Sequence, residues 1–600
     1  MHKATTVKVI AALLAALVLM FSILPTTHES QTATPTMASN SFVIDNVRIF
    51  DGKQVLAATQ IEVRDGTIVA IGDAVSADGI ETIDASGQTL LPGLIDAHTH
   101  SFASARADAL RFGVTTVLDM FTDPTLLDDA IAQRESDIAT GEATLFSAGM
   151  LATTAGGHGT QYGIDVDTLA NADEASKWVK RRKAEGSDYI KLVYIPESRN
   201  TPSIDLEVAT AVIRAAHAND MLAVAHISTI AAADELLRAG IDGLVHIYFD
   251  AAADADFLAR ARDANLFVIP TLTVTSVIDG NLPGQAILDD DALSPLLSQG
   301  QLAMLSQSFG ISTSRGFAEQ SRSNVSDLHK AGITILAGSD APNPSTAHGI
   351  TLHQELDLLV QAGHTPIEAL RAATSIPADT FGLTGRGTIA VGQRADLLLV
   401  NGDPTTDITV TRNIERVFHN GFDVERELPE PATSLPATAA PSELSDFEDG
   451  ITAADGFIWS VTSDDMMGGK SSAVIAAVQP GAGGSAGAMA VTADTASGFA
   501  FPWSGAFLAA QSTSTVENYG NVAFDIRGTP ARMRLMLFST GVMGAPPTIE
   551  FDITNDWQRV TLPIDDVTGF DRTQFAGFAI VTPAAVGTYE FMVDNVALLP

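Results

Sequence analysis

Short apolar segments alternate with polar turns between Ser41 and Thr89. In TQIEVRDGTIVAIG, for example, the Asp65-Gly66 step is a typical turn of a β-hairpin. Similar short segments return after residue 385, in GRGTIAVGQRADLLLVNGD and VFHNGFDV. The pattern predicts short strands on both sides of a longer central segment, and we expect the two sets to join one small β domain.

The pattern changes at Leu90, where longer apolar segments begin to alternate with helical stretches such as Ala172 to Gly186. Eight apolar segments follow in order: TLLPGLIDAHTH, VTTVLDM, TLFSAGML, SDYIKLVYI, MLAVAHI, DGLVHIYF, LFVIPTL and ITILAGSD. Near-continuous apolar strands separated by helices are typical of a parallel sheet that is buried on both faces. The pattern therefore predicts an α/β fold, a (β/α)₈ or TIM barrel, over residues 90–384.

The C-terminal part of the chain is predicted to be all-β. Residues 428–444 are rich in Pro, Ala, Ser and Thr, which is typical of a linker. Beyond them, turn signals separate about seven apolar strands, among them YGNVAFDIRG, RMRLMLFS and TYEFMVDNVALL. This spacing favours a β-sandwich over residues 445–600.

The N-terminus predicts export. Lys3 and Lys8 precede an apolar run from Val9 to Leu24, in which Ser22 is the one polar residue and which ends at Pro25. A basic start and a short apolar run are typical of a secretory signal. We expect residues 1–38 to be a signal peptide or a retained N-terminal anchor, with a buried core helix as the alternative. The protein is then periplasmic or secreted.

Composition narrows the possible functions. The chain has 34 Lys and Arg residues against 72 Asp and Glu residues, a formal net charge of −38. This excess argues against nucleic acid as a partner and against binding to anionic membrane surfaces. Because the chain has no cysteine, disulfides, thiolate zinc sites and cysteine nucleophiles are excluded. A metal ion would have to be held mainly by imidazoles and carboxylates.

Polar residues end several of the predicted barrel strands, where the reactive groups of this fold lie. They are His98, His100, Lys191, His226, His246 and Asp340. Taken alone, each has a simpler explanation, such as a buried histidine, a lysine that reaches to water or a helix cap. Because all of them fall on the same predicted face, we predict a metal site there.

The chain resembles the amidohydrolase superfamily of metal-dependent hydrolases in the motifs GLIDAHTH, GVTTVLDM, HIST, LAGSDAP and ATSIPADTFGLTGRGTIAVGQRADLLLVNGDP. The resemblance covers about residues 41–425 and implies a barrel with a composite β-sandwich from residues 41–89 and 385–427. YIKLVY and AGGHG most resemble the branch of Xaa-Pro dipeptidases and imidazolonepropionase-like enzymes. One departure is Leu118, where many relatives carry Arg, so the recognition of substrate charge stays open.

The resemblance implies two divalent metal ions. His98, His100 and Asp340 hold one ion, His226 and His246 hold the other, and Lys191, carboxylated by CO₂, bridges them. Burial favours the neutral lysine amine that reacts with CO₂. Imidazole and carboxylate ligands favour Zn²⁺ and also suit Mn²⁺, Co²⁺ or Fe²⁺. The alternative is a mononuclear site in which Lys191 stays a plain amine.

These ligands predict hydrolysis by a metal-activated hydroxide, since metal-bound water loses its proton near pH 7. Asp340 is the expected general acid and base, which takes the remaining proton and passes it to the leaving amine. His158, in the GGHG segment, is a candidate for binding the oxyanion or a substrate carboxylate, or is an ordinary loop histidine. Tyr248 is a candidate for contacting the scissile carbonyl.

The expected reaction cleaves a C–N amide bond in a small molecule, a dipeptide or an N-acyl amino acid. Comparable deaminases place a Glu beside the strand-five histidine, whereas here no carboxylate follows His226 until Asp234. The alternatives are a deaminase, a lactone or carbamate hydrolase, or a non-catalytic secreted protein that binds through its C-terminal domain. Ser276 to Lys330, which carries no readable motif, leaves the substrate unidentified.

Residues 445–600 resemble the CIA30 domain, a jelly roll of the galactose-binding type, in DFEDG, SDDMMGGKSS and FMVDNVALLP. The family's DGVMGG turn is DDMMGG here, starting at Asp464. The resemblance leaves open whether this domain binds carbohydrate or protein and whether the chain forms a homo-oligomer. It predicts no site residue in the domain.

Overall fold

The computed structural model describes residues 40–134, 136, 138–160, 166–198, 201–309, 311, 313–428, 438–464, 470–496, 502–539, 546–565 and 567–600. The predicted signal or anchor, most of the predicted linker and residues 465–469 of the DDMMGG turn lie outside them. Across the ranges described, no helix combines the length and apolar character that a membrane crossing requires.

Two sheets are built from the residues on either side of the central segment. The first has the order β4-β3-β1-β5, with β1 Phe42–Asp45, β3 Ile61–Arg64, β4 Thr67–Ile71 and β5 Glu81–Asp84. The second has the order β17-β16-β15-β6-β2, with β2 Arg48–Ile49, β6 Gln88–Pro92, β15 Leu397–Asn401, β16 Ile414–His419 and β17 Phe422–Asp423. Because β6 pairs antiparallel with β15, residues from both flanks of the central segment share one sheet.

One apolar cluster joins these two sheets. Strand alternation turns Phe42, Ile44, Ile61 and Val63 inward from the first sheet, and β16 contributes Phe418 from the second. The rings of Phe42 and Phe418 stack with centroids 4.5 Å apart. The two sheets therefore pack face to face, which is the arrangement expected of a composite sandwich.

Eight parallel strands make up the central segment: β7 Leu94–Thr99, β8 Val114–Asp119, β9 Thr144–Ser147, β10 Ile190–Val193, β11 Ala223–His226, β12 Gly243–Val245, β13 Phe267–Ile269 and β14 Thr334–Ile335. They pair in chain order as β7-β8-β9 and β10-β11-β12-β13-β14. Backbone hydrogen bonds cross both remaining gaps, from Ala152 N to Lys191 O (2.8 Å) and from Ala97 N to Ala337 O (2.9 Å). This order agrees with the predicted barrel.

Helices separate most of these strands and follow the last. They are α1 Ala105–Arg111, α2 Leu127–Arg134, α3 Ala175–Ala184, α4 Leu206–His217, α5 Ile230–Ala239, α6 Ala255–Asp263, α7 Leu272–Ile278, α8 Pro283–Leu288, α9 Gln299–Leu305, α10 Phe317–Lys330, α11 Ile350–Gln361, α12 Pro366–Ala372 and α13 Ser375–Phe381. Individual residues determine where these helices begin and end. Asp205 caps the start of α4, where its side chain accepts a hydrogen bond from Val208 N, and Gly240, with a left-handed backbone, ends α5. Helices α8 to α10, and the end of α7, come from the segment Ser276 to Lys330, which carries no readable motif.

The central segment has two separate apolar layers. Val224, Val245, Ile269 and Leu336 belong to an inner cluster contributed by successive strands. A larger cluster combines outward-facing strand residues with helix residues, such as Leu244 with Phe257. Because both faces of the strands are buried, the polar side chains of these strands are accessible at the strand ends.

The C-terminal strands form two sheets around one core, and all their pairings are antiparallel except that of β18 with β23. Their bounds are β18 Thr438–Ala439, β19 Glu443–Ser445, β20 Phe457–Ser463, β21 Ser472–Val478, β22 Ala488–Thr495, β23 Ser504–Thr515, β24 Asn521–Gly528, β25 Ala531–Ser539, β26 Thr548–Ile553, β27 Gln558–Pro563, β28 Phe575–Val581 and β29 Gly587–Leu599. The orders are β18-β23-β28-β25-β26, with β20 on β23, and β21-β22-β29-β24-β27, with β19 on β29. Leu508 and Leu535 of one sheet and Val491 and Phe591 of the other share a cluster. The predicted jelly roll and CIA30 assignment stay predictions.

The stacked ring pair of the composite sandwich provides a test of this packing. We expect Phe418→Ala to lower the free energy of unfolding by about 3–5 kcal/mol, because Phe418 is 1% exposed and its removal leaves a cavity. Phe309→Ala is the matched control, since Phe309 is 42% exposed. Urea unfolding of the two variants measures the difference, and equal midpoints would contradict the packing described.

Candidate metal centre

The two histidines at the end of β7 lie on one side of the strand. Period-two geometry brings His98 and His100 together, and their ring centroids are 5.4 Å apart. Both point at the same carboxylate oxygen: Oδ1 of Asp340 lies 3.2 Å from His98 Nε2 and 3.1 Å from His100 Nε2. His98 is fully buried, whereas His100 keeps 30% of its side chain exposed.

Asp340 reaches this position from the loop after β14. Its backbone N–H donates to the His98 carbonyl at 2.7 Å, and its φ of +54° bends the chain at the strand end. Gly338 allows the approach, because a Cβ there would meet Ile269 Cγ2 at 2.5 Å and His98 Cβ at 2.8 Å. Burial alone would raise the pKa of Asp340, but His98 and His246 outweigh burial and leave this pKa well below its usual range.

His246 completes a compact group with His98 and Asp340. Each of the three offers a ligand atom, and these atoms lie within 4.8 Å of one another. His246 Nδ1 is 3.7 Å from Asp340 Oδ2, and it forms a 2.7 Å hydrogen bond with the Thr271 hydroxyl. The imidazole and carboxylate donors of this group suit a divalent metal ion.

His226 and Lys191 extend the group along the strand ends. The rings of His226 and His246 are 4.4 Å apart between centroids. Lys191 is 2% exposed, and burial lowers its pKa to about 7 against the attraction of Asp340 and Asp119. A substantial fraction of the amine is therefore neutral near pH 7, which is the form that reacts with CO₂.

His158 lies beside His226. The two ring centroids are 5.1 Å apart, so the predicted loop histidine is next to the ligand group. Burial lowers the pKa of His158 to about 4, with repulsion from His100 and Lys191 as a further cause. A neutral imidazole can donate a hydrogen bond to an oxyanion but supplies no charge for a carboxylate. The role of His158 stays a prediction.

Tyr248 lies two residues beyond His246. Its ring packs edge-on against Phe257 of α6 in the outer apolar layer, with centroids 5.8 Å apart. The backbone of His246 is left-handed (φ +67°), so the chain is not extended between the two side chains. The contact between Tyr248 and a scissile carbonyl stays a prediction.

Sequence reasoning missed several buried polar groups that support the ligands. Asp119 ends β8, accepts from Phe121 N and Ser147 Oγ, and interacts electrostatically with His100. Its position at a strand end is a signal that could have found it. Thr271 and Glu355 carry no such signal, because their role depends on contacts between distant segments.

The residues present fit a metal ion. His98 is completely buried, and its Nδ1 makes no hydrogen bond with any residue that the structure describes, while its Nε2 faces Asp340 Oδ1 at 3.2 Å. Buried polar atoms are rarely left without a partner. Cation binding at this group of ligand atoms would satisfy a lone pair of His98 and balance the buried carboxylate of Asp340.

The model of the amidohydrolase family matches residues 89–422, more than half of the chain, so the chain belongs to the amidohydrolase family. It is similar to a dihydroorotase of Halobacterium salinarum, with 26% identity over 378 residues that cover 57% of this chain and 83% of the relative. It is also 31% identical over 126 residues to an allantoinase of Escherichia coli, over 19% of this chain and 26% of that relative.

Several solved structures share the fold of the part of the chain that they cover. A Xaa-Pro dipeptidase with bound methionine superposes with a TM-score of 0.51 and 23% identity, over 64% of this chain and 100% of that one. A prolidase-like protein from Bifidobacterium longum superposes with a TM-score of 0.51 and 25% identity, over 66% of this chain and 96% of that one. Molinate hydrolase superposes with a TM-score of 0.51 and 19% identity, over 68% of this chain and 99% of that one.

The carboxylate between the histidines provides the test of the metal centre. We expect Asp340→Asn to lose most of the metal that copurifies with the protein, because the amide removes the anionic ligand from a buried site. Asp242→Asn is the matched control, since Asp242 pairs with His217 at 2.9 Å outside the ligand group. Elemental analysis of chelator-free preparations measures the metal content of both variants. An unchanged metal content in Asp340→Asn would contradict the assignment.

Proposed function

We propose that the protein is a metal-dependent amidohydrolase that cleaves a C–N amide bond in a dipeptide or an N-acyl amino acid. The observation that carries the proposal is the convergence of His98, His246 and Asp340 at the ends of three parallel strands in an amidohydrolase-family chain. Family membership makes it a hydrolase; the bond and the substrate class belong to the proposal.

We assign His98, His100 and Asp340 as the residues that would hold one divalent ion, and His226 and His246 as the residues that would hold a second. Carboxylated Lys191 would be a further ligand. Because the ligand atom of His246 also lies within 4.8 Å of those of His98 and Asp340, the two sets of ligands adjoin. The close approach of both β7 histidines to Asp340 and the short distance between His226 and His246 support this division. Burial of Lys191 supports its carboxylation. When bound, divalent ions, Zn²⁺ first among them, would acidify a water molecule and polarise the scissile carbonyl.

Asp340 is the group that moves protons in this proposal. Its side chain is 6% exposed and ionised, which is the form that can accept a proton from water. Once protonated, it can deliver that proton to the leaving amine. His158 would donate a hydrogen bond to the oxygen that gains charge.

The surroundings of His226 favour amide hydrolysis over deamination. Ile227, the next residue, is 1% exposed in the apolar layer, and no carboxylate follows before Asp234. The solved structures of similar fold include a Xaa-Pro dipeptidase and molinate hydrolase.

We further propose that the parallel strands close into a barrel, that residues 1–38 direct export, and that residues 445–600 form a CIA30-like domain.

Lys191→Ala tests the bridging ligand. We expect it to lose one of two metal ions and to lower kcat/KM by more than about 100-fold, since the loss of a ligand costs more than the ~10–100-fold effect of an outer partner. Lys183→Ala, at an exposed position on α3, is the control. A Lys191 variant that keeps both ions and the full rate would refute the carbamate.

A substrate library tests the reaction itself. We expect metal-loaded protein to hydrolyse dipeptides or N-acyl amino acids, with release of the free amine as the readout. A preference for X-Pro dipeptides would support the prolidase-like assignment. Ammonia release from pterins, purines or cytosine, or turnover of lactones and carbamates alone, would overturn the proposed bond type.

A further inference from the structure

A buried carboxylate outside the ligand group is bound to the segment that follows β13. Glu355 lies on α11 with no exposed surface. Its two oxygens accept from Leu272 N (2.8 Å), Thr273 N (2.9 Å) and the Thr273 hydroxyl (2.9 Å). These donors belong to the first turn of α7, so Glu355 fixes where α7 starts.

The residue immediately before α7 is Thr271, which is fully buried and has a left-handed backbone, with φ +47°. A β-branched residue adopts this conformation only when its surroundings enforce it. Its hydroxyl forms the 2.7 Å hydrogen bond with His246 Nδ1. The strained conformation therefore aims a hydroxyl at a candidate metal ligand.

His246 needs such a partner because its own backbone is unusual. It follows β12 with φ +67°, and its N–H donates to Ile269 O at 2.9 Å, which joins the ends of β12 and β13. An imidazole that binds a metal is generally held by a hydrogen bond on its ring, and this bond selects the nitrogen that carries the proton. Thr271 makes that bond here.

We propose that Glu355 is a positioning residue for the metal centre: by fixing the start of α7 it holds Thr271 in the conformation that orients the His246 ring. The inference rests on the proposed function, because it takes His246 as a metal ligand. Glu355 touches neither the ligand group nor the substrate in this scheme. It acts through Thr271, across 83 residues of sequence between Leu272 and Glu355.

Metal affinity and the visible spectrum of Co²⁺-loaded protein test the proposal, because the spectrum reports ligand geometry independently of activity. We expect Thr271→Val, which keeps the side-chain shape but removes the hydroxyl, to weaken Co²⁺ binding about 10–100-fold and to alter the spectrum. Thr271→Ser should restore both. Glu355→Gln should resemble the valine variant.

Glu368→Gln is the matched control. Like Glu355, Glu368 accepts from a backbone N–H and a threonine hydroxyl, at 2.7 and 2.8 Å, but it caps α12 instead of α7. We expect its metal affinity and spectrum to match those of the unmodified protein. If Glu355→Gln does not fold, Thr271→Val and Thr271→Ser still provide the comparison.

The outcomes separate this inference from the proposed function. Wild-type Co²⁺ affinity and spectrum in Thr271→Val, or in a folded Glu355→Gln that is merely less stable, would overturn the positioning role and leave the proposed function standing. Weakened metal binding in a protein that hydrolyses no amide would support the positioning role and refute the function. An unmodified protein that binds no metal would refute both.

Discussion

The buried carboxylate of Asp340 is the constraint on which the centre of this molecule depends. A carboxylate with 6% of its side chain exposed is unfavourable unless charge or hydrogen bonds compensate for lost water. Three imidazoles have a ring nitrogen within 3.7 Å of its oxygens: His98 and His100 from the end of β7, and His246 from the residue after β12. A divalent cation bound among these groups would provide the compensation. The parallel pairing of β7, β12 and β14 with their neighbours is what brings these groups together.

The backbone at these strand ends is strained in a consistent way. His246, Thr271 and Asp340 follow β12, β13 and β14, and all three have positive φ angles. A left-handed residue turns the chain sharply, so a side chain that would otherwise continue the alternation points into the centre instead. The surrounding hydrogen bonds, including those of Asp340 N and His246 N, have to hold these conformations against their cost.

These turns also explain what the sequence could and could not predict. The order of the strands and the convergence of His98, His100 and Asp340 follow from apolar periodicity and from the rule that strand ends share one face. The side on which Tyr248 lies could not be predicted, because the alternation rule assumes an extended chain, which ends at His246. Glu355 was missed because its partners are set by how α11 packs on α7, and no local pattern records that contact.

The site also contains a continuous row of imidazoles. Neighbouring ring centroids are 5.1, 4.4, 4.9 and 5.4 Å apart from His158 through His226, His246 and His98 to His100. Burial lowers the pKa values of His98, His158, His226 and His246, and protonation of one further disfavours that of the next. These four imidazoles therefore present neutral nitrogen lone pairs beside an ionised carboxylate. Imidazoles and a carboxylate can bind a divalent cation without any cysteine, and cation binding would offset the burial of so many polar groups.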